Sequence, residues 1–409
     1  MEFVHWLLSR IHRGAGRRSR AVTVAVVAVT SLATLLAIPA AQAASTGGVL
    51  GTGYDGYGQL CNGTTTGGAT ASGAASPLDA GVTATAAGAV HSLALTTGGA
   101  VFACGNNVFG ELGNGTTTNS STPVAVTLPG GATATAIAAN EFHSLALTSG
   151  GAVYAWGHNA FGQLGNGTTT DSSTPVAVSV PGTVTQIAAG WSFNLALTST
   201  GAVYAWGFNG DGELGTTSSD TCATFACSTT PVAVSLGAAT VKAIAAGWDH
   251  SLAIRSDDTV LAWGLNNYGQ LGVGDTTNHL VPAPALGGIA VAAIACGGIH
   301  SLAIKKSDST GLAWGRNNDG QLGVGTTDAF LPNPTPLASS ATLTAIAAGA
   351  FHSLAIRSGG APLAWGYNAT GQLGDGTTTN RLSPVPVLAP ADGNVTGIAA
   401  GWAHSLFVR

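Results

Sequence analysis

One phrase of about 50 residues repeats seven times along the chain, and it constrains the fold more than any other feature. A full copy reads Ile187-Ala-Ala-Gly190, two variable residues, a His-Ser-Leu-Ala-type strand, an Ala-Val-Tyr-Ala-Trp-Gly strand and Asn-x-x-Gly-Gln-Leu-Gly. Successive copies are spaced by 52, 50, 57, 50, 52 and 52 residues, and Phe193 fills one slot of the histidine column. The other slots hold His91, His143, His250, His300, His352 and His404.

Each copy contains the signals of short strands and tight turns. Val153–Trp156 and Pro175–Val178 are short runs with β-branched or aromatic residues; Ser149-Gly150-Gly151 precedes the first run, and an Asn-Gly-Thr turn lies between the two. No segment after residue 43 has helical periodicity. The sequence therefore predicts an all-β fold, a seven-bladed β-propeller over residues 44–409. Because the chain starts inside one copy and ends with Ile398–Arg409, the N-terminal and C-terminal strands should share a blade and close the ring.

Residues 1–43 have the pattern of a signal peptide. A basic stretch ending at Arg20 precedes an apolar run from Ala21 to Ile38, and Ala41-Gln42-Ala43 offers a cleavage site. We therefore expect a secreted protein whose mature chain begins after Ala43. An uncleaved membrane anchor is the alternative, because an apolar run of this length can span a bilayer. The general secretory and twin-arginine routes both stay open.

The charge distribution argues against two classes of partner. Only 8% of residues are charged, and no Lys or Arg occurs between Ala44 and Val241, where several Asp and Glu residues lie. Affinity for nucleic acid comes largely from cations that neutralise phosphates. We therefore expect no nucleic-acid partner and, after cleavage of the signal peptide, no association with a membrane.

The repeated phrase resembles that of a known family. Ala-Trp-Gly-x-Asn-x-x-Gly-Gln-Leu-Gly, together with Ala-Gly-x-x-His-Ser-Leu-Ala, is similar to the repeat of the regulator of chromosome condensation family. The resemblance implies a seven-bladed propeller. The nuclear roles of eukaryotic members, on a small GTPase and chromatin, do not fit predicted export. The family also resembles secreted bacterial propellers that inhibit β-lactamases through one aromatic-rich face, which fits a secreted bacterial-type member.

The repeated columns are interpreted as scaffold, so no metal and no cofactor are expected. Six equivalent histidines could suggest a metal site, but each comes from a different blade, and we expect each to bond the backbone of its own blade. The tryptophan column should pack between blades. Asn-Gly-Thr at Asn62, Asn114 and Asn166 fits glycosylation formally, but a turn is expected there. The tryptophans are Trp156, Trp206, Trp263, Trp314 and Trp365, with Thr52 and Cys104 in the remaining slots.

The cysteines differ in their expected roles. Cys222 and Cys227 lie in the longest copy and should form a local disulfide in an exported protein, although two free thiols are the alternative. Cys61 and Cys104 could pair across neighbouring blades, but sequence does not give their separation. Cys296 replaces an alanine and should be buried.

Positions that vary between copies are the candidates for function. They are the pair before the histidine and the segment after Trp-Gly, and an antiparallel meander would bring both to one face of the ring. Aromatic residues among polar ones favour protein or sugar binding. The candidate partner-binding residues are Glu141, Phe142, Phe161, Trp191, Asp211, Trp248, Asp249, Tyr268, Tyr367 and Trp402.

Two functions follow from this face. The first is a secreted, non-catalytic propeller that binds a protein partner. The alternative is a propeller that binds or cleaves a glycan of the cell wall or environment, with a carboxylate pair drawn from Glu141, Asp211 and Asp249. No spacing selects such a pair and no nucleophile-base motif is present, so we expect no enzyme.

Overall fold

A computed structural model describes residues 30–31, 47–73, 78, 81–217, 220–388 and 394–409. The predicted signal peptide lies outside these residues, except for the two-residue strand Thr30–Ser31, in which Thr30 is opposite Asn140. None of the described helices is long and apolar enough to cross a bilayer. The described helices are single 3₁₀ turns at Pro129–Gly131 and Leu286–Gly288.

Seven antiparallel sheets follow one another along the chain, and each is a blade whose strands are counted from the centre of the ring outward. From blade 1 to blade 7, the first strands are Gly397–Ala400, Val82–Ala87, Ala134–Asn140, Val184–Ala189, Val241–Ala246, Val291–Cys296 and Leu343–Ala348. The second strands are His404–Val408, His91–Thr96, His143–Thr148, Phe193–Thr198, His250–Arg255, His300–Lys305 and His352–Arg357. The third strands are Val49–Gly53, Val101–Gly105, Val153–Gly157, Val203–Phe208, Val260–Gly264, Gly311–Arg316 and Pro362–Gly366. The fourth strands are Gly68–Gly73, Ser120–Val126, Ser172–Val178, Phe225–Ala233, His279–Ala285, Phe330–Pro336 and Arg381–Pro386.

Blade 1 is built from both ends of the described chain and closes the ring. The strand Val49–Gly53 pairs with His404–Val408, so that Val49 is opposite Val408 and Gly53 is opposite His404. Each first strand also contacts the first strand of the next blade, and the series of contacts returns from blade 7 through blade 1 to blade 2. The predicted propeller and its closure are therefore confirmed. Closure leaves no unpaired strand edge between the first and last blades.

The Trp-Gly step bends the third strand of each blade. In blade 3 the register with the fourth strand shifts between Ala155 and Gly157, which is the signature of a β-bulge. Gly157 has φ of +103°, and an added Cβ would meet the backbone of Phe142 and His143. Glycine is therefore needed at this position, since other residues are strained at positive φ.

The meander separates the connecting loops into two faces. In blade 2, the turn 88–90 and the long loop 106–119 emerge at one end of the strands, which we call the upper face. The hairpin 97–100 and the segment 127–133 emerge at the opposite end, the lower face. Both variable segments of the repeat thus lie on the upper face, as predicted, because alternate turns of an antiparallel sheet fall at the same end.

Candidate interaction face and the contacts that position it

The histidine column links neighbouring blades, which corrects the expectation that each histidine bonds its own blade. His91 Nε2 in blade 2 lies 2.9 Å from Ser144 Oγ in blade 3, and His404 in blade 1 lies 3.0 Å from Ser92 in blade 2. The same contact measures 2.9 Å in three further pairs, His250–Ser301, His300–Ser353 and His352–Ser405. The sequence interpretation placed the bond within one blade because the true partner is about fifty residues away in the chain.

These contacts fix the direction of the hydrogen bonds. The hydroxyl of Ser144 donates to the backbone carbonyl of Glu111 at 2.9 Å, so its single proton is used there. His91 must then donate from Nε2 to Ser144 Oγ. In blade 4 the serine is replaced by Asn194, whose Nδ2 donates to the Gln163 carbonyl while its Oδ1 accepts from a histidine in blade 3 at 2.7 Å. The amide thus repeats both functions of the hydroxyl.

Burial keeps all six histidines neutral. Loss of hydration disfavours the charged imidazolium, and this lowers the pKa to about 4 for His143. The pKa falls to about 3 for His91, His250, His300, His352 and His404. Neutral imidazole with its proton on Nε2 is the form that the inter-blade bond requires.

Phe193 interrupts this series between blades 4 and 5. It occupies the histidine position of blade 4 and is buried. The next blade keeps its serine, and Ser251 Oγ still donates to the carbonyl of Glu213 at 3.1 Å. This junction therefore has the acceptor of a histidine bond but an apolar ring in place of the donor.

The tryptophan column donates to the same backbone carbonyls. Trp156 Nε1 lies 2.8 Å from the Glu111 carbonyl, which also accepts from Ser144. One carbonyl with two lone pairs thus receives two donors from the following blade. Buried packing between blades, the role predicted for the tryptophans, is confirmed. Equivalent bonds of 2.8 to 3.0 Å are made by Trp206, Trp263, Trp314 and Trp365.

A disulfide replaces this contact between blades 1 and 2. Cys104 stands in the tryptophan column, and Cys61 stands where the other turns have a glycine against which the tryptophan packs, such as Gly113 against Trp156. The two cysteines are joined, with Cα atoms 5.5 Å apart. The pairing that the sequence left open is therefore present, and it compensates for the missing tryptophan.

The other cysteines and the asparagine turns behave as predicted. Cys222 and Cys227 form the local disulfide, with Cα atoms 5.7 Å apart, and Cys296 is buried and is not part of a disulfide among the described residues. Asn114 Oδ1 accepts from the backbone N–H of Thr116 at 3.1 Å and from its hydroxyl at 2.8 Å. Asn62 and Asn166 make equivalent turn contacts.

Five of the predicted aromatic residues meet in one cluster on the upper face. Trp191 and Trp248 make an edge-to-face contact with ring centroids 4.9 Å apart, and Phe351 lies 5.4 Å from Trp248 on the other side. Tyr268 and Trp402 pack against the same group, and Tyr367 contacts Phe351 at 6.4 Å. We call these six residues the aromatic cluster. They come from blades 1, 4, 5 and 7.

The remaining predicted aromatics lie apart from this cluster. Phe142 contacts Phe109 at 5.3 Å, and Phe161 contacts Phe208 at 5.2 Å. Sequence reasoning omitted Phe351 from the candidates although it belongs to the variable pair before a histidine. It also omitted Arg316, whose guanidinium lies 4.8 Å from the centre of the Phe351 ring.

Burial divides the ten predicted partner-binding residues. Trp248 is 1% exposed, Asp249 4% and Glu141 7%, so these three support the face from below and offer a partner almost no surface. The remaining seven are half-buried: Phe142, Phe161, Trp191, Asp211, Tyr268, Tyr367 and Trp402. Their role in partner binding stays a prediction.

The carboxyl groups of this face perturb one another. Burial, and then the nearby charge of Asp249, raise the pKa of Glu141 well above its usual value. Within the described part of the chain, no group of three or more His, Cys, Asp or Glu residues is arranged to hold a metal ion.

Taken together, the fold and these contacts define a class, a closed seven-bladed propeller. Serine and tryptophan side chains donate to one backbone carbonyl of the preceding blade, and histidine side chains donate to the serine of the next blade. A family model described as the RCC1-like domain matches residues 46–407. The ultraviolet-B receptor UVR8 of Arabidopsis thaliana is 34% identical over 326 residues, which are 79% of this chain and 73% of the receptor. The human E3 ubiquitin-protein ligase HERC2 is 32% identical over 78% of this chain, but these residues are 6% of the ligase.

A solved structure shows the same architecture. Prp20p from Saccharomyces cerevisiae, whose description covers binding to Gsp1p and histones, superposes with a TM-score of 0.79 at 25% identity, over 89% of this chain and 92% of Prp20p. This chain belongs to the RCC1-like family, the family of regulator of chromosome condensation repeats that its sequence resembles.

Proposed function

We propose that this protein is a secreted, non-catalytic propeller that binds a protein partner through its upper face. The carrying observation is the aromatic cluster, because its members break the seven-fold repeat while the surrounding scaffold keeps it. RCC1-like propellers are protein-interaction scaffolds, and the description of Prp20p names protein partners. Secretion is supported by the sequence pattern of residues 1–43.

The composition of the cluster suits an interface. Tryptophan and tyrosine are enriched among the residues that carry most of the energy of protein association, and they are held here by edge-to-face contacts. Because the half-buried ring of Trp191 packs edge-to-face against the buried ring of Trp248, it is held in place before a partner arrives. Prior fixing of side chains reduces the entropy lost on binding.

Burial argues against the glycan-cleaving alternative. A glycosidase needs two carboxyl groups on either side of a sugar bond. The charge of Asp249 acts on Glu141, but both side chains are more than nine-tenths buried and offer a bound sugar almost no surface.

The test is capture of secreted and envelope proteins by the mature propeller. A W191A/W402A double variant should lose the partner that the parent retains, since both rings are half-buried members of the cluster. L388A is the matched control, because Leu388 is 56% exposed beyond the lower end of a fourth strand. Unchanged capture by the double variant, or capture of polysaccharide alone, would reject the proposal.

A further inference from the structure

The charged side chains of the described residues are sorted between the two faces. The upper end of the ring has twelve carboxyl groups and two arginines, whereas the lower end has three carboxyl groups and six cationic side chains. The upper carboxyls are Asp55, Glu111, Glu141, Asp171, Asp211, Glu213, Asp220, Asp249, Asp275, Asp319, Asp328 and Asp375. The lower cations are Lys242, Arg255, Lys305, Lys306, Arg357 and Arg409.

The two upper cations are already engaged. Arg316 lies 3.2 Å from Asp319, and Arg381 lies 2.6 Å from Asp375. These pairs belong to blades 6 and 7. The upper ends of blades 2 to 5 therefore have no Lys or Arg among the described residues to balance their carboxyl groups; the titratable side chains there that can become cationic are His158 and His279, and His279 lies 3.6 Å from Asp275.

We propose that the upper face docks a lysine-rich or arginine-rich segment of its protein partner over blades 2 to 5. This inference rests on the function proposed above and gives the chemistry of the partner. The argument is charge complementarity, which steers encounter and sets specificity between protein surfaces.

Neighbouring carboxyls form a continuous series across these blades, which we call the acidic belt. Asp171 acts on Glu111, Glu111 acts on Glu141, and Asp249 acts on both Glu141 and Glu213. In order, the acidic belt is Asp171, Glu111, Glu141, Asp249, Glu213 and Asp211. A cation placed above the belt is attracted by each of its ionised carboxyls at once.

The aromatic cluster borders the acidic belt. Asp249 follows Trp248 in sequence, and the hydroxyl of Ser192, the residue after Trp191, bonds the carboxyl of Glu141. A lysine or arginine over the belt would therefore lie beside the Trp191 ring, whose face attracts cations.

Two buried carboxyl oxygens of the belt, Glu111 Oε1 and Glu213 Oε1, lack a hydrogen-bond partner among the described residues. Glu213 is fully buried; its Oε2 accepts from the backbone N–H of Asp211 at 2.9 Å, but its Oε1 has no hydrogen-bond partner among the described residues. Its electrostatic neighbours are Asp249 and Asp211. A cation docked above Glu213 would favour the ionised form of this buried carboxyl through space, without direct contact.

Docking should also release protons. Burial raises the pKa of Glu111 to about 7 and raises the pKa values of Glu141 and Glu213 well above the usual range. Glu111 is therefore partly protonated near neutral pH in the free protein. A nearby cation favours the ionised carboxylate, so binding should strengthen as the pH rises.

The experiment measures binding of a fluorescein-labelled hexalysine peptide to the mature propeller by anisotropy at about 0.15 M salt, where the screening length is about 8 Å. The test variant is D171N/D211N. Asp171 Oδ1 accepts from the backbone of Asn159 at 2.8 Å, and Asn119 makes the same bond to Asn107 in blade 2, so the first change preserves the turn. D211N likewise keeps a side-chain oxygen that can accept a hydrogen bond.

The matched control is D257N/D308N, which removes the same charge from exposed positions on the lower face. We expect the upper-face variant to bind the peptide about fivefold more weakly and the control to change affinity less than about twofold. Equal losses in both variants would mean that only net charge attracts the peptide and would overturn the proposal. Absence of peptide binding to the parent would also overturn it.

A second measurement separates a charge effect from a folding effect. Glutamine occupies the Glu213 position in five other copies, among them Gln270, so E213Q should fold. Calorimetry in two buffers of different ionisation enthalpy should show fewer protons released by E213Q than by the parent; equal release would refute the role of Glu213.

If the peptide fails to bind while W191A/W402A still abolishes partner capture, this inference fails and the proposed function stands.

Discussion

The buried histidines should make folding stability depend strongly on pH. In the folded protein His250 has a pKa of about 3 because burial removes its hydration, whereas an unfolded histidine titrates near pH 6.5. Between these values the unfolded chain binds more protons than the folded one, so the free energy of unfolding falls as the pH falls. The loss begins below about pH 6.5 and is complete near pH 3.

The magnitude follows from linkage. Between pH 7 and pH 5 each such histidine lowers the free energy of unfolding by about 2 kcal/mol, and the six together lower it by about 11 kcal/mol. Glu111, Glu141 and Glu213 act in the opposite sense, because their raised pKa values let the folded state bind protons at a higher pH than the unfolded chain does. Over the same pH range each of them raises the free energy of unfolding by at most about 2.5 kcal/mol. The net loss in the free energy of unfolding is therefore at least about 3.5 kcal/mol, a large part of the whole stability of many domains.

Two substitutions isolate the contribution of the histidines. H250F copies the natural Phe193 junction and removes one buried imidazole, and F193H adds one beside Ser251. Urea unfolding between pH 7.5 and 4.5 should give H250F a stability slope shallower by about 1.4 kcal/mol per pH unit below pH 6, and F193H a slope steeper by the same amount. Slopes parallel to that of the parent would refute the reasoning that these imidazoles are buried and neutral.

Three further predictions concern the links between blades. W314F removes the donor to the Gln270 carbonyl and should lower the free energy of unfolding by about 1 to 2 kcal/mol in urea titrations. C104A opens the disulfide to Cys61, which closes a sequence separation of 43 residues, and should cost about 4 kcal/mol on the chain-entropy model, read as a lower thermal midpoint. Deletion of residues 395–409 removes two strands of blade 1 and should abolish the single cooperative transition seen by circular dichroism; a deletion variant that keeps it would contradict closure of the ring.

The repeat predicted the fold because each copy carries its own strands and turns. Contacts between blades were harder to predict, since a histidine column has the same spacing whether it bonds its own blade or the next one. One signal was present in the sequence: Cys61 and Cys104 each depart from a repeated residue, and both departures fall at the same junction. Two departures from the repeat at the same junction indicate that the two residues are in contact, whereas a single departure does not.

The sequence predicted which residues lie on the upper face, but it did not predict which of them are buried. The meander placed Trp191 and Trp248 at the same end of the ring from sequence alone. Trp248 is buried, whereas Trp191 is half-buried, because Trp248 packs with Ile299, Ala350 and Phe351, which come from blades 6 and 7. Burial of a loop side chain is decided by residues far away in the chain, and the repeat does not encode it.

The glutamates of the acidic belt preserve the hydrogen bonds that join the blades. The junction uses the backbone carbonyl of the Gln or Glu position, and the side chain contributes one acceptor oxygen, as Gln270 Oε1 does to Tyr268 at 2.9 Å and Glu111 Oε2 does to Phe109 at 2.8 Å. Glutamine and glutamate supply that oxygen equally well. The second side-chain atom is therefore free to vary between amide and carboxyl, and glutamate in blades 2 and 4 adds acidity to the upper face while the contacts that hold the propeller stay the same.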